Sequence, residues 1–161
     1  EKSLIKINWF GGFSVHDLIE DMAKEIVRLE SPDDPGKRSR LWFHEDIIQV
    51  LEDNTGTSAI KTIYLTCKNY EVELDESAFK KMKNLKTLVI KGGHFSKGPK
   101  YLPNSLRVVE WEGYPSEYLP HDFHPKKLAI LNLPKSCITS LKLADSLKVS
   151  VIISFLQYIN L

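Results

Sequence analysis

Leu85-Lys86-Thr87-Leu88-Val89-Ile90 is the stretch on which the reading of this chain turns. Its apolar residues at the first, fourth and sixth positions recur at the same spacing elsewhere. Upstream stands Ile60-x-x-Ile63-x-Leu65. Downstream stand Leu106-x-x-Val109-x-Trp111, Leu128-x-x-Leu131-x-Leu133 and, more loosely, Ile153-x-x-Leu156-x-Tyr158. The starts at 60, 85, 106, 128 and 153 are separated by 25, 21, 22 and 25 positions. That is the period of a leucine-rich repeat, one short strand and an irregular or helical return per unit. A single unit cannot bury its apolar face, so units stack into a continuous core with an open concave surface. Such a surface binds. An interaction module is expected, and not an enzyme.

The composition sets bounds. Apolar content of 42% and charged content of 27% are those of an ordinary globular chain. A net charge of +1 excludes strong whole-chain attraction to nucleic acid or anionic membrane. Cys67 and Cys137 lie 70 residues apart with no spacing motif, which reads as a reduced, intracellular chain. No basic-then-apolar leader opens the sequence. The uncharged run Val149 to Leu161 is too short to span a bilayer. The chain starts at Glu1 with no Met, and its ends look arbitrary, so a piece of a longer protein is expected.

Residues 1–55 do not share the repeat. Leu4 to Trp9 reads as a strand, Phe10-Gly11-Gly12 as a turn, and Phe13-Ser14-Val15 as a returning strand. Asp17 is the expected N-cap of a helix, with Glu20 three residues on. Leu18, Ile19, Met22, Ile26 and Leu29 follow at helical spacing and form one apolar face. The helix should end before Ser31-Pro32. Asp33 to Arg40 reads as a polar loop. Glu45 to Leu51 reads as a second helix with Ile47, Ile48 and Leu51 inward, closed by Asn54-Thr55-Gly56. Pro99, Pro103, Pro115, Pro120, Pro125 and Pro134 all fall between strand cores, where a missing N–H is tolerated.

Several stretches resemble those of plant TIR-NB-ARC-LRR disease resistance proteins, the TIR-type intracellular immune receptors. Val15-His16-Asp17-Leu18-Ile19-Glu20-Asp21-Met22 is similar to their Met-His-Asp motif, with Val15 in place of the Met. Gly36-Lys37-Arg38-Ser39-Arg40-Leu41-Trp42, Ala78 to Leu85, and Leu102-Pro103-Asn104-Ser105-Leu106-Arg107-Val108 continue the resemblance. So do Tyr114-Pro115-Ser116 and Leu119-Pro120. The match runs from Lys2 to about Leu143, after which the sequence drifts from the family's usual text. The resemblance implies an α+β fragment: residues 1–55 as the C-terminal part of the NB-ARC winged-helix subdomain, and residues 56–161 as about five N-terminal leucine-rich repeats with parallel strands. It implies defence signalling by protein interaction and autoinhibition of an ADP/ATP switch in the parent protein. Implied partners are the parent's own NB-ARC and TIR domains and a pathogen effector or guarded host protein, with no nucleic acid and no membrane. The implied location is cytoplasmic, and also nuclear. The alternative from another class is a stand-alone leucine-rich-repeat scaffold or adaptor with no nucleotide switch. A Gly-rich loop ending in Lys and Ser or Thr ahead of Glu1 would separate the two.

In the family the motif histidine meets the β-phosphate of ADP, and His16 occupies that position. An imidazole beside a helix N-terminus sits where anions are favoured. Asp17 would fix the helix start. No cofactor is expected in this chain alone, because the one near match to a phosphate loop, Gly93 to Gly98, is followed by Pro99 and not Lys. The isolated chain is therefore expected neither to bind nor to hydrolyse ATP. His121-x-x-His124 lacks the further ligands of a zinc site and reads as a polar turn, so no metal is assigned.

Residues 80 to 107 carry Lys80, Lys81, Lys83, Lys86, Lys91, Lys97, Lys100 and Arg107 with no acid. The plain reading is a solvated convex face. The functional one is a patch that docks against an acidic surface. Strand positions Lys86, Thr87, Val89, Arg107, Val108, Glu110, Ala129, Ile130 and Asn132 should line the concave face. Among them, Lys86, Arg107, Val108, Glu110, Ile130 and Asn132 are the candidate partner contacts. The asparagine that commonly links successive turns is replaced by Lys68, Gly93, Tyr114, Ser136 and Leu161, so Gly and Pro are left to shape the turns. The uncharged end, Val149 to Leu161, presents an uncapped edge and predicts poor solubility.

Overall fold

In the computed structural model, which describes residues 5–7, 13–15, 17–67, 70–139 and 152–154, the repeated spacing becomes a parallel ladder. The chain runs β1 (Ile5–Ile7), β2 (Phe13–Val15), α1 (Asp17–Arg28), a 3-10 turn (Pro35–Lys37), β3 (Arg40–Leu41) and α2 (His44–Glu52). There follow β4 (Thr62–Thr66), β5 (Glu71–Val72), β6 (Thr87–Lys91), β7 (His94–Phe95), β8 (Val108–Trp111), β9 (Ile130–Asn132) and β10 (Ile152–Ser154). The main sheet has the order β3-β4-β6-β8-β9-β10, and every neighbouring pair in it is parallel. A second parallel pair, β5 with β7, forms in the segments leading away from β4 and β6. β1 and β2 make the expected antiparallel hairpin. The result is a small α+β chain whose repeats form a parallel solenoid of the leucine-rich-repeat kind.

One row of residues fixes the register: Leu41, Ile63, Leu88, Val109, Leu131 and Ile153 stand opposite one another in turn. The steps between them are 22, 25, 21, 22 and 22 residues. Two expectations change here. The fifth unit was expected to set Leu156 opposite Leu131; Ile153 occupies that place, three residues earlier. In an uncharged stretch dense with β-formers, no polar alternation marks which residue faces the core, so the spacing alone does not fix register. At the other end the sheet does not stop near residue 56. It reaches back to Arg40–Leu41, a strand of two residues, too short to show a period.

The strands fold this way because their alternate residues are apolar. Ile63 and Leu65, Leu88 and Ile90, Val109 and Trp111, and Leu131 are all buried on one side. Trp111 is the centre of the aromatic core. The rings of Phe95, Tyr114 and Phe79 meet it edge-on, at 5.0, 5.1 and 6.2 Å between centroids. At about 25 cal/mol per Å2, burying a large aromatic side chain contributes about 4–6 kcal/mol. Tyr114, one of the positions left without the linking asparagine, is thus a core residue.

α2 packs Ile47, Ile48, Val50 and Leu51 inward and ends at Asn54, whose φ of 52° is the left-handed turn that closes helices. α1 behaves differently. It starts at Asp17, but the expected apolar face is open: Leu18, Met22, Ile26 and Leu29 are 56–65% exposed, while Val27 is buried. Glu20 forms an ion pair with Lys24 at 2.7 Å. The expected polar loop after α1 is also partly interior. Pro35, Gly36 and Arg38 are buried, and a Cβ on Gly36 would lie 2.2 Å from the Thr55 carbonyl oxygen. Arg38 is the buried charge among the described residues. Its Nε donates to the Ser31 carbonyl and its Nη2 to that of Pro32, both at 2.8 Å, and its Nη1 meets Asp46 Oδ2 at 2.5 Å. These bonds tie the end of α1 to the start of α2.

Candidate functional site

Side chains on a strand alternate between faces, so the residues between the buried ones point to the sheet's other side. Register then assembles that side from distant parts of the chain. Thr62, Thr87, Val108 and Ile130 form one row, and Tyr64, Val89, Glu110 and Asn132 the next. Just ahead of them lies a third row, in which Lys86, Arg107 and Ala129 donate their backbone N–H to the carbonyls of Lys61, Lys86 and Arg107 in turn. Each strand lies about 4.8 Å from the next. Val108, Glu110, Ile130 and Asn132 therefore share one face, and Lys86 and Arg107 stand one residue ahead of it, at the entries to β6 and β8. Lys86 and Arg107 are exposed, and Val108, Glu110, Ile130 and Asn132 are half-buried.

One detail differs from the sequence reading. Val89, expected to be open on this face, is buried at 5% exposure. Beside it Lys91 lies 4.0 Å from Glu110 and 5.7 Å from the centroid of the Tyr64 ring. Asn132 Oδ1 is buried and has no hydrogen-bond donor among the described residues. Further along, the Glu112 carboxyl is held below its ordinary range by the hydrogen bond from Lys135 Nζ at 2.7 Å.

The basic run of residues 80 to 107 divides into two groups. Lys80 stacks over the Tyr101 ring at 4.9 Å, Lys81 donates to the Asn54 carbonyl, Lys91 meets Glu110 and Lys100 pairs with Glu76. Lys83, Lys86, Lys97 and Arg107 join no ion pair found among the described residues. Lys86 and Arg107 line a cleft of about 500 Å3 together with Asn104, Ser105, His124, Lys126 and Lys127. Sequence reasoning missed Lys126 and Lys127 because they lie outside the basic run. Stepping back one repeat would have found them, since 22 residues separate them from Asn104 and Ser105 at the entry to the previous strand.

Successive turns are tied on the strand-entry side. Asn84 Nδ2 donates to the Ser58 carbonyl at 2.8 Å, the Ser105 hydroxyl to the Leu85 carbonyl at 2.7 Å, and the Thr57 hydroxyl to the Gly36 carbonyl at 2.8 Å. These bonds link turns as an asparagine ladder would, from the opposite end of the strand.

His16 lies outside the described residues. Gly93 to Gly98 runs through β7 and its flanking turns. His121 Nδ1 lies 3.1 Å from Asp122 Oδ1, both exposed, while the His124 N–H is bound to Asn104. Among the described residues no three His, Cys, Asp or Glu side chains gather as a metal site, and no helix is long and apolar enough to cross a membrane.

Comparison with known proteins gives similarity to plant resistance proteins. The chain is 36% identical over 154 residues to Disease resistance protein RPP2B of Arabidopsis thaliana, covering 88% of this chain and 13% of that protein. It is 36% identical over 133 residues to TMV resistance protein N of Nicotiana glutinosa, covering 83% and 12%. To Disease resistance protein RPP2A of Arabidopsis thaliana it is 41% identical over 125 residues, covering 73% and 10%. The chain thus spans 10–13% of the length of these relatives. No protein-family model and no solved structure matches it.

Proposed function

The chain belongs to the TIR-NB-ARC-LRR family of plant disease resistance proteins, and on that premise we propose that it joins a receptor's nucleotide switch to its recognition surface. Its role is in plant defence. It acts by protein contact, without catalysis of its own. Residues 1–55 are the end of the winged-helix subdomain, with His16 meeting the β-phosphate of ADP in the parent and Asp17 setting the helix start. Residues 56–161 are the first repeats. Contacts between the sheet face and the parent's NB-ARC and TIR domains hold the switch in its ADP state. An effector or a guarded host protein competes for that hold and shifts the population toward the ATP state. The setting is the cytoplasm, and the nucleus as well.

The observation that carries this reading is the face itself. Val108, Glu110, Ile130 and Asn132 come from two repeats and meet on one side of a parallel ladder, with Lys86 and Arg107 at the strand entries beside them. The test is co-purification of this chain with the parent's separately expressed NB-ARC module, with and without the double substitution Val108→Glu/Ile130→Glu. Complex formation lost in the substituted chain supports the reading; no complex with the unsubstituted chain at low salt refutes it. The chain alone should give no heat on titration with ADP or ATP, and micromolar affinity for either would overturn its proposed dependence on the parent.

A further inference from the structure

The cleft at the strand-entry side has a chemistry of its own. At about 500 Å3 it is the size of a small-molecule site. Lys86 and Arg107 reach it from the entries to β6 and β8, and His124, Lys126 and Lys127 from the loop leading into β9. No carboxylate stands among its lining residues, and the four permanent cations join no ion pair found among the described residues. Lys86 and Arg107 are cross-strand neighbours, an arrangement in which like charges repel. The walls are fixed. Asn104 donates through Nδ2 to the Asp122 carbonyl at 3.1 Å and accepts the His124 N–H on Oδ1 at 2.6 Å. The Ser105 hydroxyl is anchored to the Leu85 carbonyl. These bonds hold the two loops together, so the cations converge instead of dispersing.

We infer that this cleft binds a soluble polyphosphate, a small molecule bearing several clustered phosphate groups. Each phosphate monoester carries about −1.5 to −2 charges at neutral pH, so two or three offset the four cations. A guanidinium grips phosphate oxygens in a fork, and ammonium groups add point charges. An acidic polypeptide fits less well. An extended strand presents same-side carboxylates only about every 6.8 Å, and protein partners anchor through large apolar side chains, Tyr or Trp, which the cleft lining lacks. Nucleic acid would need a run of stacking rings, and the lining offers the single imidazole of His124. The inference rests on the cleft and not on the proposed receptor role.

The test is calorimetry on the 161-residue chain with inositol hexakisphosphate as the probe. One molecule should bind per chain, more weakly as salt rises from about 50 to about 300 mM. The double substitution Lys126→Glu/Lys127→Glu should weaken binding at least about tenfold. Lys83→Glu/Lys97→Glu makes the same charge change outside the cleft and should stay within about twofold. All four lysines are exposed, and matching melting temperatures would show that both variants keep the fold. No binding, or equal weakening in both variants, would overturn the inference. So would a hexaglutamate peptide binding as tightly as the probe, or binding only to vesicles containing phosphatidylinositol bisphosphate.

Discussion

Replacing Arg38 with methionine should unfold this chain at markedly lower denaturant. The side chain is 3% exposed and makes two 2.8 Å bonds to carbonyls and one 2.5 Å contact with Asp46. Hydrogen bonds to charged groups are worth about 1.5–3 kcal/mol each, so three set a ceiling of about 4.5–9 kcal/mol. The structure lowers that figure. Pro32 is exposed, Ser31 is half-buried and the Asp46 side chain is 25% exposed, so their oxygens can rehydrate. Methionine also refills the space of the arginine stem. The expected loss is about 3 kcal/mol, the low end for breaking a buried ion pair. With a urea slope of about 2 kcal/mol per molar, the midpoint falls by about 1.5 M. Arg38→Lys keeps the charge but not the fork, and should lose about 2 kcal/mol. Asp46→Asn completes a double-mutant cycle with Arg38→Met, with an expected coupling of about 1–3 kcal/mol. A midpoint shift under about 0.3 M, or no coupling, would refute the view that Arg38 ties the two helices together.

Trp111→Ala empties the centre of the aromatic core and should cost about 4 kcal/mol in urea denaturation. Burial pushes the Tyr114 phenol up to about 12, so in an absorbance titration it should ionise well above the ordinary tyrosine range. Because the folded pKa is raised, Tyr114 contributes stability that is complete below about pH 10 and is lost as pH climbs through about 12. Burial also raises the Cys67 thiol, whereas Cys137 is exposed; a thiol reagent should label one site fast and the second only on unfolding. Gly36→Ala forces its new methyl against the Thr55 carbonyl and should destabilise by about 2 kcal/mol, read as a lowered melting temperature.

The strands around Ile63, Leu88, Val109 and Leu131 were legible because a buried row must repeat, and their spacing shows it. α2 was legible for the same reason at helical period. What the sequence hid has physical causes. β3 has two residues, and period needs length. The Val149 to Leu161 stretch lacks charged residues to mark its faces, so its register slipped by three. The α1 stripe reads as one apolar face from periodicity, but periodicity states which residues share a side, not what covers it. Arg38 reads as one cation in a polar loop, and only tertiary packing makes it an interior clamp. Lys126 and Lys127 join Lys86 and Arg107 through register, which composition windows do not follow.

The unequal steps of 22, 25, 21, 22 and 22 residues along one unbroken row separate two properties of this chain. Residues gained or lost in the returns bulge outward, because the next strand is positioned by its own apolar residues and not by counting. Such a scaffold accepts insertions and deletions between strands without moving the side chains it displays. An epitope tag spliced into the polar Ser96-Lys97 turn should therefore leave the display face intact, and a lineage can vary loop length and surface chemistry independently.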